Sequence, residues 1–173
     1  MKNNSSMRSF FYRFLFLLVI SIISCNKPGQ SFDVTESNLV KDTVTNMVLN
    51  VEKDISISGP AAWLNYFENS PHFFMATDGN LVFKDYQSAK AFILNTLVKS
   101  IPHIKLRWDH IRVEPFSDNI ASIGADFQEE LTSNAGKTVF FTGYFTATAH
   151  KTNVGWKLIN VHWSIKPQSN TVR

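Results

Sequence analysis

The chain is 173 residues long, 44% hydrophobic and 13% aromatic, with a formal net charge of +3. Three of its seventeen basic residues, Lys2, Arg8 and Arg13, fall within the first 24 residues, which hold no Asp or Glu, so the other 149 residues are formally neutral. A neutral body lacks the clustered Lys and Arg on which binding to nucleic acid or anionic lipid depends, and no nucleic-acid partner is expected.

Behind the basic segment, Phe14 to Ile23 is an uncharged apolar run of ten residues, followed by Ser24 and Cys25. As a helix this run spans about 15 Å, half of a bilayer's ~30 Å hydrocarbon core, so it reads as the h-region of a secretory signal peptide. Ile22-Ile23-Ser24-Cys25 resembles a bacterial lipobox, in which a small residue precedes a cysteine that is acylated and becomes the first residue of the mature chain. An incidental cysteine after an ordinary signal peptide, or an uncleaved signal anchor, are the alternatives. The expected organisation is a leader over residues 1–24, a tether with lipidated Cys25 over 25–32, one domain over 33–166 and a polar tail over 167–173. Two or three acyl chains, at about 0.8 kcal/mol per buried methylene, would hold such a domain on the cell envelope without help from its surface. Cys25 is the only cysteine, so the domain has neither a disulfide framework nor a thiolate metal site and holds together by packing.

Asp33 with Glu36 resembles a capping box, and Val40, Val44, Met47, Val51 and Ile55 then recur at three- and four-residue steps, which predicts one long amphipathic helix. Ser58-Gly59-Pro60 stops it and starts a second, short and mostly buried helix through Ala61, Ala62, Trp63, Leu64 and Phe67, with Ser58 or Gly59 as its cap. Phe73 to Thr77, Asp78-Gly79 and Leu81 to Phe83 read as a small hairpin, because Asp-Gly tolerates the positive φ of a tight turn. A third helix, capped by Asp85 and ended by Pro102, would bury Ala89, Ile93, Leu97 and Ile101.

The apolar period then changes to two. Ile104 to Phe116, Ile120 to Leu131, Val139 to His150 and Trp156 to Lys166 are four long strands of an antiparallel meander, separated by short turn sequences. A bulge near Asp109-His110 would bring Ile104, Leu106, Trp108, Ile111 and Val113 to one face and bend the first of them. Pairing His150 with Trp156 sorts the last hairpin into an apolar side (Phe141, Gly143, Phe145, Ala147, Ile159, Val161, Trp163, Ile165) and a polar side (Thr142, Tyr144, Thr146, Thr148, Trp156, Asn160, His162, Ser164), with Gly143 opposite Trp163. Helices first and a curved antiparallel sheet last make an α+β fold.

This order of elements, together with the closing run Gly143-Tyr144-Phe145-Thr146, a turn, and Gly155-Trp156-Lys157-Leu158-Ile159-Asn160-Val161-His162-Trp163-Ser164, resembles the nuclear transport factor 2-like superfamily and its SnoaL-like branch. The resemblance implies a cone-shaped fold with a pocket between helices and sheet, often a homodimer built on the convex face, and, in its enzymes, chemistry carried by carboxylates, a His or a Tyr within the cone. It says little about function, because the scaffold hosts many activities.

Candidate acid–base residues are His162, with Tyr144 and Ser164 as neighbours on the polar side, and Glu129, which shares parity with Ala121, Ile123, Ala125, Phe127 and Leu131. A buried Glu129 would have a raised pKa, whereas its place near a strand end also allows an exposed edge carboxylate. His162 equally fits a half-buried side chain satisfied by its neighbours. Trp63, Phe67, Met75, Trp108 and Phe127, with Ser164, are candidate lining for an apolar pocket, although aromatic residues at such spacings also build cores. Asp109, His110, His103 and His72 lie on different elements without ligand spacing, so no metal site is expected. Phosphate loops, nucleophile elbows and Cys-His pairs are missing from the sequence, and no cofactor is expected. The leading expectation is a lipid-anchored module holding a small apolar or amphipathic ligand, or docking a protein partner; the alternative is a cofactor-independent isomerase, dehydratase or hydrolase-type enzyme using His162 or Glu129.

Overall fold

The computed structural model describes residues 32–167. The leader, Cys25, most of the tether and nearly all of the polar tail lie outside the described residues. Helix α1 (Val34–Ser58) buries Val40, Val44, Met47, Val48, Val51 and Ile55, the stripe that the three- and four-residue spacing predicts. None of the described helices is long and apolar enough to cross a membrane.

After α1 the chain forms a 3₁₀ turn, Pro60–Asn65, where an α-helix is expected. Six residues opened by a proline offer little room for i→i−4 bonding, and the turn closes with the tighter bonds Ala62 N–H to Gly59 O (3.1 Å) and Tyr66 N–H to Trp63 O (2.9 Å). Strands β1 (Phe74–Thr77) and β2 (Asn80–Phe83) form the expected hairpin, with Asp78 and Gly79 at φ 47° and 82°. Asp85 caps α2 (Tyr86–Phe92) through a reciprocal capping box with Ser88. That helix does not run regularly to Pro102: it passes through a π turn, Ile93–Leu97, before a last short helix, α3 (Val98–Ser100).

Strands β3 (His103–Pro115), β4 (Ile120–Thr132), β5 (Thr138–Thr152) and β6 (Gly155–Ile165) form the antiparallel meander. The hairpin is also part of this sheet, because β1 pairs parallel with β6, giving six strands in the order β2-β1-β6-β5-β4-β3. The β3–β4 register shifts between Asp109 and Arg112, and His110 takes a left-handed φ of 51°. This is the expected bulge: Ile104, Leu106, Trp108 and Val113 are buried, and Ile111 is half-buried.

The last hairpin departs from expectation in register, and near the turn in faces as well. His150 pairs with Lys157, and Phe145, not Gly143, stands opposite Trp163. The turn is one residue tighter than expected, and a bulge between Thr148 and Ala149 restores the parity beyond it. One consequence is that Leu158 rather than Ile159 enters the core near the turn. Gly143 faces Phe127 instead, and a Cβ there would stand 2.7 Å from the Phe127 ring and collide with the Ser164 carbonyl.

Helix α1 packs against β3 and also closes its outer edge. Ser56 Oγ accepts from the Leu106 N–H (3.1 Å) and donates to the Leu106 carbonyl (3.3 Å), while Glu52 accepts from the Trp108 N–H at 2.8 Å. An uncovered edge would offer these groups to another strand.

Trp163 packs against Trp63, Trp108, Phe127 and Phe145 on the helix side, whereas His162 is half-buried on the opposite face. Trp163→Ala should therefore cost about 3–5 kcal/mol of unfolding free energy and His162→Ala less than about 1 kcal/mol. Urea melts of both variants check this, and equal losses would contradict the assignment of faces.

Candidate active or binding cavity

A cavity of about 230 Å³ lies where the 3₁₀ turn, the β1–β2 hairpin, α2 with its π turn, and the helix-side faces of β3, β4 and β6 meet. Its wall is mostly apolar: Trp63, Phe67, Met75, Phe83, Phe127 and Trp163 are joined by aliphatic side chains of the π turn and strands. Thr77 and Glu129 are the polar lining residues. The wall is set by the ring pairs Trp63–Phe67 (5.4 Å, stacked) and Phe127–Trp163 (4.6 Å, edge-on). The π turn brings Ile93 and Leu97 to the cavity, and Phe92 just before it contacts Phe83 at 5.3 Å.

Glu129 is half-buried and points to the cavity with Phe127 and Leu131, its neighbours along β4. Its cross-strand partners are Leu106 and Phe141. Among the described residues its carboxylate has no hydrogen-bond or ion-pair partner. Lys105, of opposite parity, is turned to the other face and pairs with Glu130 at 3.3 Å. Desolvation by these apolar neighbours pushes the Glu129 pKa up to about 7.

The other expected site residues divide between the two faces. Trp63, Phe67, Met75 and Phe127 line the cavity with Glu129. Trp108 does not: it stacks behind Trp163 at 5.8 Å, against Met47, Val48 and Val51 of α1, and its indole N–H is buried without an acceptor among the described residues. Tyr144, His162 and Ser164 do converge, through the pairs Tyr144–Ser164 and Thr146–His162, but on the outer face. There Tyr144 lies across Gly124, whose added Cβ would stand 2.6 Å from the phenol oxygen, beside a shallow groove with Arg112, Ser122, Thr146 and Asn160. His162 and Glu129 therefore share no cavity. The strand parity that separates them was readable; which face meets the helices was not.

His110 bonds Asp126 at 3.0 Å, and Asp109 bonds Arg107 and Gln128 on the same outer face. Among the described residues no group of His, Cys, Asp and Glu is arranged to hold a metal ion. Thr77, Phe83, Phe92 and Leu131 line the cavity without having been singled out in the sequence. The parity of Leu131 with Glu129 was the available signal for the last of these.

Between about pH 4.5 and 7 the folded chain holds a proton on Glu129 that the unfolded chain has released, so the contribution of this group favours folding at acid pH and fades as pH rises. Glu129→Gln should leave stability at pH 5 nearly unchanged and raise it at pH 8 by on the order of 2 kcal/mol relative to the parent. Urea melts at the two pH values measure the difference, and a variant that tracks the parent at both would place the carboxylate in water.

No family model matches the chain, and no curated protein matches it. Solved structures do share its architecture. A nuclear transport factor 2-like superfamily protein from Salmonella enterica serovar Typhimurium aligns with a TM-score of 0.58 at 17% identity, over 80% of this chain and 96% of that one. A provisionally named scytalone dehydratase from Novosphingobium aromaticivorans aligns at 0.65 and 12% identity, over 78% and 89%. A hexachlorocyclohexane dehydrochlorinase, LinA type 2, aligns at 0.59 and 9% identity, over 73% and 84%. At such identities the likeness carries the fold and not the chemistry: the described residues adopt the cone-shaped α+β fold of the nuclear transport factor 2-like superfamily.

Proposed function

We propose that this chain is a lipid-anchored cell-envelope protein whose cone binds a small amphipathic ligand, apolar along most of its length and polar where it meets Glu129. The observation that carries the reading is an apolar cavity with two polar groups, Glu129 and Thr77, the usual composition of a small-molecule site. Its volume of about 230 Å³ lies below the ~300 Å³ at which drug-sized sites begin, which favours a small ligand.

Protein purified from its own membranes should carry a noncovalent small-molecule adduct in native mass spectra, lost on denaturation. Leu97→Trp, which fills the cavity from the π turn, should remove the adduct while the fold persists. An adduct that survives this substitution would place the ligand elsewhere.

A second reading is cofactor-independent proton transfer by Glu129, favoured by its pKa near 7, where a carboxyl can both take and return a proton. His162 and Tyr144, on the outer face, take no part in that reading. Recovery of a chemically altered ligand, rather than the ligand itself, would favour it.

The anchor rests on the sequence alone. Cys25→Ser should move the protein from the membrane to the soluble fraction and remove the acyl mass from the extracted chain. Unchanged mass and unchanged membrane retention would rule out acylation at this residue.

A further inference from the structure

From the placement of Glu129 we infer that the ligand of the cavity is an organic cation, an ammonium carried on a small apolar body. This deepens the ligand-binding reading and rests on it.

The carboxylate faces an apolar cavity, and no described side chain supplies a counter-charge. The cavity-lining residues from the 3₁₀ turn, β1, β2, α2, the π turn, β3 and β6 include no other titratable group. Once the carboxyl is ionised, a neutral ligand would displace water from it without compensating its charge, and an anionic ligand would add repulsion. An ammonium compensates it directly, with a charge-assisted hydrogen bond where it carries an N–H.

The rest of the wall fits the same charge. Trp63, Phe67, Phe83, Phe92, Phe127 and Trp163 surround one small volume, and aromatic faces attract a desolvated cation through the ring quadrupole. A greasy cavity for a neutral hydrocarbon needs no carboxylate, and the raised pKa shows that keeping one there opposes its ionisation. A cation reverses that opposition on binding. The ligand therefore selects the ionised carboxylate, and binding releases the proton held near neutral pH.

Three soluble probes of similar size separate the possibilities: 2-phenylethylammonium, 2-phenylethanol and phenylacetate, titrated into the full-length protein by calorimetry at pH 8.5 and 5.5. The cation should bind at least about tenfold tighter than the alcohol at pH 8.5, and phenylacetate should bind weakest. Its affinity should fall about 30-fold at pH 5.5, where the competent ionised fraction of a group with a pKa near 7 is small. Glu129→Gln should abolish both the preference and the pH dependence while leaving binding of the alcohol in place. An alcohol that binds as tightly as the cation, or a cation preference that survives Glu129→Gln, overturns the inference and leaves the cavity as a ligand site. Absence of binding by all three probes overturns the ligand-binding reading as well.

Discussion

Trp163 is the interaction on which the packing of the helix side depends. Its indole meets Phe127 at 4.6 Å, Phe145 at 4.9 Å, and Trp63 and Trp108 at 5.8 Å. These rings come from four different elements, so one side chain of β6 ties together β3, β4, β5 and the 3₁₀ turn. Aromatic pairs contribute about 0.5–1.5 kcal/mol each beyond area burial, and their edge-on geometry fixes orientation as well as distance. Through Trp63 and Phe67 the chain of rings extends to Phe73 and the start of the hairpin. The described residues contain no cysteine, so this cluster takes the place of covalent cross-links in tying the elements together.

The sheet can wrap this cluster because the register of its long strands is interrupted twice. At the bulge of β3, His110 accepts a left-handed backbone, and the strand bends so that Trp108 and Val113 both face inward. At the bulge of the last hairpin the same happens to Leu158 and Val161. Glu52 and Ser56 then fix α1 along the β3 edge with hydrogen bonds to main-chain groups, so the helix is held by geometry as well as by its apolar stripe. The cavity forms away from this seam, where the hairpin and the π turn meet the ends of β4 and β6.

Most of this was legible in the sequence because the periods were clean. The stripe of α1, the Asp78-Gly79 turn, the Asp85 cap, the four strands and the β3 bulge all follow from local pattern. What was not legible depends on contacts distant in sequence. The parallel docking of β1 on β6 has no local signature, although it places Met75 and Thr77 at the cavity. The π turn arises in a stretch whose spacing reads equally well as a regular helix. The site was the least legible part: Tyr144, His162 and Ser164 share one face, as their parity implies, but a polar strip looks the same whether it lines a cone or faces outward. Glu129 looked like an edge carboxylate because strand position cannot reveal the roof that α2 and the hairpin place over it.

Gly143 never touches the cavity, yet it helps set the cavity's size. Phe127 leans across the bare backbone there, and even a methyl group at this position would meet the ring. A Cβ there would also collide with the Ser164 carbonyl, so relieving the overlap would shift β5 against β6 as well as Phe127, whose ring is itself part of the cavity wall. The shape of the cavity wall is thus set in part from behind it, by a strand residue that does not itself line the cavity.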